Sequence, residues 1–124
     1  MIHKTISKLH AHHDHVSEEE LYESYKIFFG TLVSESRLRI LNLLRNKRRN
    51  VSELILELKM DQTAVSHDLA RLKRCGFVIC GREGKFMYYS LNKKTISPLL
   101  KLIDNHMSHY CVHILNTVDR SEVK

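Results

Sequence analysis

Hydrophobic positions along the chain change period several times, and each change marks a new element. Ser17 and Glu20 have the spacing of a capping box, and Leu21, Tyr25, Phe28 and Leu32 recur at steps of four, three and four residues. That pattern predicts an amphipathic helix over about 17 to 32 with a wide aromatic stripe. After a break between Thr31 and Ser36, the run RLRILNLLRNKRR sets Leu38, Leu41 and the Leu43/Leu44 pair on one side and its cations on the other. A second helix ending near Asn46 is expected. Ser52 looks like the N-cap of a short third helix that turns Leu54, Ile55 and Leu58 inward and stops near Lys59. Met60 and Asp61 make a turn, and Asp61 caps a fourth helix on which Val65, Leu69 and Leu72 fall within about 60° of one another at 100° per residue. Gly76 stands where a left-handed residue would end it. Two short helices joined by so tight a turn define a helix-turn-helix.

From Phe77 the pattern becomes that of strands. FVICGR and KFMYYSL are rich in β-branched and aromatic residues and flank the turn residues Glu83 and Gly84, which predicts a hairpin. Ser97 and Pro98 have N-cap and N1 character, and a final helix is expected from there to about Leu115. The first sixteen residues have no assignable period and hold five of the nine histidines, so they read as a flexible arm. The expected organisation is this arm (1–16), one winged-helix domain (17–116) and a tail (117–124). The fold class is α-rich α+β, a winged helix-turn-helix of about five helices with a two-stranded β-hairpin wing.

Composition agrees with a single helix-rich domain: 124 residues, 43% hydrophobic and 27% charged, with only four Gly and one Pro. No apolar run approaches the roughly 20 residues of a membrane helix, and the N-terminus lacks the apolar centre of a secretory signal. A cytoplasmic protein without a membrane partner is expected. Cys75, Cys80 and Cys111 are odd in number and form no CxxC pair, which argues against a disulfide framework. Neither a Gly-rich phosphate loop nor paired carboxylates nor a nucleophile with a recognisable base is present, so no enzyme is expected. The net charge of +6 hides a sharper split. Between Arg37 and Lys101 there are fifteen Lys and Arg against five Asp and Glu, whereas the remaining residues are net acidic. A basic centre between acidic flanks suits a binder of phosphate backbones.

The fourth helix carries the matching chemistry. Opposite Val65 and Leu69 lie Thr63, Ser66, His67, Ala70 and Arg74, with Gln62 at the leading edge and Arg71 as a further cation. Small and hydrogen-bonding side chains let a helix approach base edges in the major groove, where bulky apolar ones would hold it off. Arg82 and Lys85 flank the hairpin turn and are placed to reach phosphate or the minor groove.

The runs FFGTLVSESRLRILNLL, VSELILEL, DQTAVSHDLARLKRCGFV and REGKFMYYSL resemble the ArsR/SmtB family of winged-helix transcriptional repressors, over about residues 21–111. The resemblance implies a homodimer built by the first and last helices. It further implies binding to double-stranded operator DNA, with release when a metal ion or another inducer binds. Gln62, Thr63, Ser66 and His67 match the family's base-reading positions, and Arg82 and Lys85 match its wing. Two positions depart from the pattern. Ser34-Glu35-Ser36-Arg37 replaces the frequent Asp-Pro-x-Arg, and Asp68 stands where His or Gln is common, a carboxylate that would disfavour nearby phosphate.

His106, His109 and His113 are spaced i, i+3 and i+7 on the last helix, so they would lie on one line. Such a line can share a nickel, cobalt or zinc ion, or it can be a plain polar strip beside Ile103 and Tyr110. Asp104 falls about 200° from His106 and is a poor candidate for the same site. In zinc-type members of the family the last helix supplies half of a site across the dimer, and His106 and His109 match that half. The other half has Lys93 and Thr95 where an Asp and a His are usual. His113, or His3, His10, His12, His13 and His15 of the arm, could complete it, and added ligands would favour six-coordinate nickel or cobalt. A rival sensor is thiol oxidation at Cys75 or Cys111, with Cys80 a small packed residue.

Overall fold

The computed structural model describes residues 16–111. The expected arm, the end of the last helix near Leu115, the tail, His113 and the five arm histidines lie outside them. Helices α1 (Glu18–Val33), α2 (Glu35–Leu44), α3 (Val51–Leu58), α4 (Gln62–Arg74) and α5 (Ile96–His106) are joined by a small antiparallel sheet. Its strands are β1 (Arg49–Asn50), β2 (Val78–Glu83) and β3 (Phe86–Leu91), in the order β1-β3-β2. A π-helical turn, Met107–Cys111, continues α5. This is the expected winged helix-turn-helix, with one strand more than the sequence pattern showed.

The core forms where α2, α3, α4 and the base of the hairpin meet. Ile40, Leu41, Leu54, Val65, Leu69, Leu72, Phe77 and Val78 are almost fully buried there, and Leu91, Ile96 and Leu100 close it from the other side. Phe28 of α1 stacks on Phe77 at a centroid distance of 4.9 Å. The period expected for α4 is therefore the one that packs. On α2, Leu41 and Leu44 are buried as expected, but Ile40 is buried in full where Leu38, 43% exposed, was expected to be.

Helix ends differ from expectation where a backbone group found a better partner. Ser17 caps α1 with Glu20 in a full capping box, as its spacing predicts. The N-cap of α3 is Asn50 rather than Ser52. Its Oδ1 accepts from Glu53 N at 2.8 Å, and the Glu53 carboxylate accepts from Asn50 N at 2.9 Å. Asp61 caps α4 by accepting from Ala64 N at 2.7 Å, and Lys59 takes the left-handed conformation (φ 55°) that ends α3. Gly76 (φ 78°) turns the chain out of α4, where a Cβ would be strained. Helix α5 begins at Ile96, ahead of the Ser97-Pro98 pair expected to start it. The Asn92 carbonyl accepts from Ile96 N and Ser97 N, and Asn92 Nδ2 donates to Gly76 O at 3.0 Å, so the start of α5 is tied to the end of the recognition helix.

Strand β1 was invisible as a strand because it is two polar residues long. Arg49 and Asn50 pair with Tyr89 and Tyr88 of β3, and both are buried. Arg49 survives burial because Glu57 accepts from its Nε and the Leu43 and Lys47 carbonyls accept from its Nη1. Asn50→Ala should destabilise the domain by about 1 kcal/mol, and Ser52→Ala should change it by less than about 0.5 kcal/mol, both read from urea unfolding.

Candidate nucleic-acid interface

Helix α4 buries Val65, Leu69 and Leu72 and presents Gln62, Thr63, Ser66, His67, Ala70 and Arg74 to solvent. The buried stripe leaves the opposite face free, and that face has no large apolar side chain. Arg71, Lys73 and Arg74 occupy its last turn, where they complement the negative end of the helix dipole. A shallow groove of about 480 Å³ runs beside it, lined by Arg37, Ser66, His67, Asp68, Ala70, Arg71 and Arg74.

Arg71 is not free with the others. Its Nε donates to Thr31 Oγ1 at 3.0 Å and its Nη2 donates to the Ile27 carbonyl at 3.5 Å. Thr31 is fully buried and its hydroxyl donates to Ile27 O at 2.7 Å, with the Cys75 thiol 3.5 Å away. Arg37 makes the companion link. Its Nε donates to Thr31 O at 2.8 Å, Nη2 to Gly30 O at 3.3 Å and Nη1 to Asp68 Oδ1 at 3.2 Å, while Ser36 donates to Asp68 Oδ2 at 2.5 Å. Arg37 thus satisfies the Gly30 and Thr31 carbonyls in the last turn of α1, which a helix leaves unpaired, and together with Arg71 it binds the end of α1 to α4. Asp68 is thereby neutralised inside the protein, which removes the conflict with phosphate that its charge suggested. Neither link was legible in the sequence, since 31 and 40 residues separate the partners.

The wing is the hairpin that follows α4. Strands β2 and β3 pair from Val78↔Leu91 to Glu83↔Phe86, leaving Gly84 and Lys85 as a two-residue loop. Gly84 has φ 63° and Lys85 has no positive φ, the pattern of a type II′ hairpin turn. The turn is one residue later than expected, so Lys85 sits at the tip and exposed Arg82 lies opposite Met87. Arg48, which the sequence did not single out, braces this arm. Its guanidinium lies 4.2 Å from the Tyr88 ring centroid and pairs with Glu83.

The last helix departs most from expectation. The alignment of His106, His109 and His113 assumed α-helical winding throughout, and the π-helical turn from Met107 ends that period. His106 and His109 are both exposed; His109 Nδ1 is 2.9 Å from Asn105 O, and His106 stacks on Tyr110 at 5.3 Å. Among the described residues, no three His, Cys, Asp or Glu side chains converge as a metal cluster. Asp104 is engaged elsewhere, accepting from Arg45 Nη1 at 2.6 Å, and this guanidinium holds its carboxyl below the ordinary Asp range. Lys93 and Thr95 are exposed on the segment before α5.

A buried helix-turn-helix, a free polar recognition face and a braced, cation-tipped hairpin define a winged-helix DNA-binding regulator. Residues 34–79 match the model of the arsR family of bacterial regulatory proteins. The regulator Rv0081 of Mycobacterium tuberculosis is 36% identical over 86 residues, covering 68% of this chain and 75% of that protein. Its crystal structure superposes with a TM-score of 0.70, over 77% of this chain and 96% of the other. The transcriptional repressor PagR of Bacillus anthracis is 32% identical over 93 residues, covering 73% of this chain and 92% of that protein. A homodimeric winged helix-turn-helix DNA-binding domain of Mb0332 from Mycobacterium bovis is 27% identical with a TM-score of 0.68, over 75% and 86% of the two chains. The chain therefore belongs to the ArsR/SmtB family of transcriptional regulators, which are DNA-binding proteins and not enzymes.

Arg37→Ala should lower stability by roughly 1.5–3 kcal/mol in denaturant unfolding, because it leaves Asp68 and two carbonyls short of partners. Arg74→Ala, on an exposed side chain, should stay within about 0.5 kcal/mol of the parent.

Proposed function

We propose that the protein is a sequence-specific transcriptional repressor that binds double-stranded operator DNA as a homodimer and lets go of it when a transition-metal ion binds at the last helix. The observation that carries DNA reading is the free face of α4, where Gln62, Thr63, Ser66, His67 and Arg74 stand exposed over a fully buried Val65-Leu69-Leu72 stripe. Gln and Arg can bond bidentately to base edges, and Ser, Thr and His add single bonds. Arg82 and Lys85 hold backbone phosphate beside it. Arg71 acts from behind, fixing the helix rather than reading bases, since its Nε and Nη2 donate to α1. Repression follows PagR, a relative named as a repressor. A regulator acting on operator DNA would work in the cytoplasm.

The second copy belongs on the apolar surface of α1 and α5. Phe29, Val33, Leu102 and Tyr110 are each more than 60% exposed. Leu32, Leu38, Leu41, Leu100 and Ile103 line an open groove of about 360 Å³ between the helices. Large apolar side chains left exposed beside such a groove mark an interaction surface. The homodimeric Mb0332 domain supports the same assembly.

For the metal, His109 fits. With Nδ1 held by the Asn105 carbonyl, Nε2 is left as the free donor atom, the arrangement that orients metal-binding histidines. His106 would be its companion, and His113 with His3, His10, His12, His13 and His15 supplies further donors from outside the described residues. A nickel, cobalt or zinc ion there would contribute a coupling of a few kcal/mol between the DNA-competent and incompetent dimers, each 1.4 kcal/mol changing affinity about tenfold. A second reading is favoured by one contact: Cys75 lies against Thr31, the residue that receives Arg71, so its oxidation would press on the link between α1 and α4.

Electrophoretic mobility shift with the chain's own promoter region tests these readings. Arg82→Ala and Lys85→Ala should weaken binding to all sequences and each reduce the salt slope by about one. Added metal should weaken operator binding, and the His106→Ala/His109→Ala variant should lose that response. A response unchanged in that variant removes both residues from sensing, and release by peroxide that Cys75→Ser abolishes would favour the thiol reading.

A further inference from the structure

The π-helical turn that interrupts the histidine line makes a different pair. In an α-helix, residues five apart point about 140° away from each other, whereas π winding, with its i→i+5 bonds, brings them together. Across Met107–Cys111 this sets His106 Nε2 3.3 Å from Cys111 Sγ. The His106 ring is stacked on Tyr110, with an angle of 27° between the planes, which fixes the direction of its nitrogen. His109 is turned to a different partner, the Asn105 carbonyl, and Asp104 is held by Arg45.

We propose that His106 and Cys111 form a nitrogen-sulfur chelate that supplies two ligands to a four-coordinate divalent ion of the zinc and cobalt class. The geometry carries it. Metal–sulfur and metal–nitrogen bonds of about 2.3 and 2.0–2.1 Å at a tetrahedral angle place the two donor atoms about 3.5 Å apart. The observed separation of 3.3 Å is close to that bite. His106 is exposed and Cys111 half-exposed, so an ion has access from solvent. On binding, the Cys111 S–H bond breaks, the thiolate sulfur forms the bond to the metal, and the proton leaves to solvent. Two coordination positions remain for water or further donors.

This inference rests on the metal-responsive reading above but changes its chemistry. A histidine-only site completed by the arm favours six-coordinate nickel or cobalt, while a thiolate ligand favours tetrahedral geometry. Cys111 also acquires a role that neither thiol oxidation nor packing assigns to it.

Co(II) added to the reduced, metal-free full chain tests it, read in the near ultraviolet and the visible. The expected result is a sulfur-to-cobalt charge-transfer band together with intense four-coordinate visible bands. Cys111→Ser should lose the charge-transfer band, and Cys111→Ser and His106→Ala should each weaken Co(II) binding by about tenfold or more, by analogy with losses of 10- to 100-fold on removing even outer partners of a metal site. Cys80→Ser should keep both bands, and circular dichroism should show each variant folded. Visible bands without the sulfur band, or a sulfur band that survives in Cys111→Ser, would overturn the chelate and leave the metal-responsive reading standing. No Co(II) binding by the parent chain would overturn both.

Discussion

The joint between α1 and α4 is made by two arginines, and the rest of the molecule is arranged around it. Arg37 and Arg71 take up the carbonyls and hydroxyl of Ile27, Gly30 and Thr31 and return to α4 through Asp68 and through the backbone of Arg71 itself. Unpaired carbonyls near a helix end are costly where water is scarce, and charge-assisted bonds to a guanidinium are among the stronger ways to satisfy them. These contacts fix the end of α1, whose outer side is apolar and exposed, against α4. Thr31 is the point of convergence, because it is completely buried and touches Arg71, Ile27 and Cys75 at once.

A second constraint acts on the hairpin. The wing stands out as a hairpin, and a two-stranded ribbon alone is only marginally stable. Strand β1 gives β3 a second partner, and Arg48 bridges from the preceding loop to Tyr88 and Glu83. One charge is spent on bracing, and Arg82 and Lys85 are left exposed for a ligand. Basic residues in this chain thus divide into two groups. Arg37, Arg49 and Arg71 are partners to carbonyls and carboxylates inside the fold, whereas Arg74, Arg82 and Lys85 are exposed and form no such contact among the described residues. Net charge alone does not separate them.

Local signals decided much of this structure. Leu21 with the Ser17-Glu20 box, the Val65-Leu69-Leu72 period after Asp61, and Gly76 and Gly84 at positive φ each act over a few residues, so the sequence order carries them directly. The same holds for the recognition face, which is the complement of a buried stripe. Where two local candidates compete, order alone is insufficient. Asn50 displaced Ser52 as a cap because pairing of Asn50 with Tyr88 had already placed its backbone at the edge of the sheet. Ile96 was preferred to Ser97 as a helix start because the Asn92 carbonyl was available to it.

The sequence by itself determined the fold class, the helix-turn-helix and the face that is free for DNA, since hydrophobic period and turn chemistry act between near neighbours. Tertiary structure decided which cations are structural, because Arg37 and Arg71 meet partners that are distant in the chain. It also decided the third strand, whose two polar residues have no pattern of their own. Winding also decided what lies beside His106: a π-turn over Met107–Cys111 brings Cys111 Sγ to 3.3 Å from its Nε2, which a reading at 100° per residue does not anticipate. Backbone hydrogen bonding sets that register, and side-chain spacing cannot reveal it.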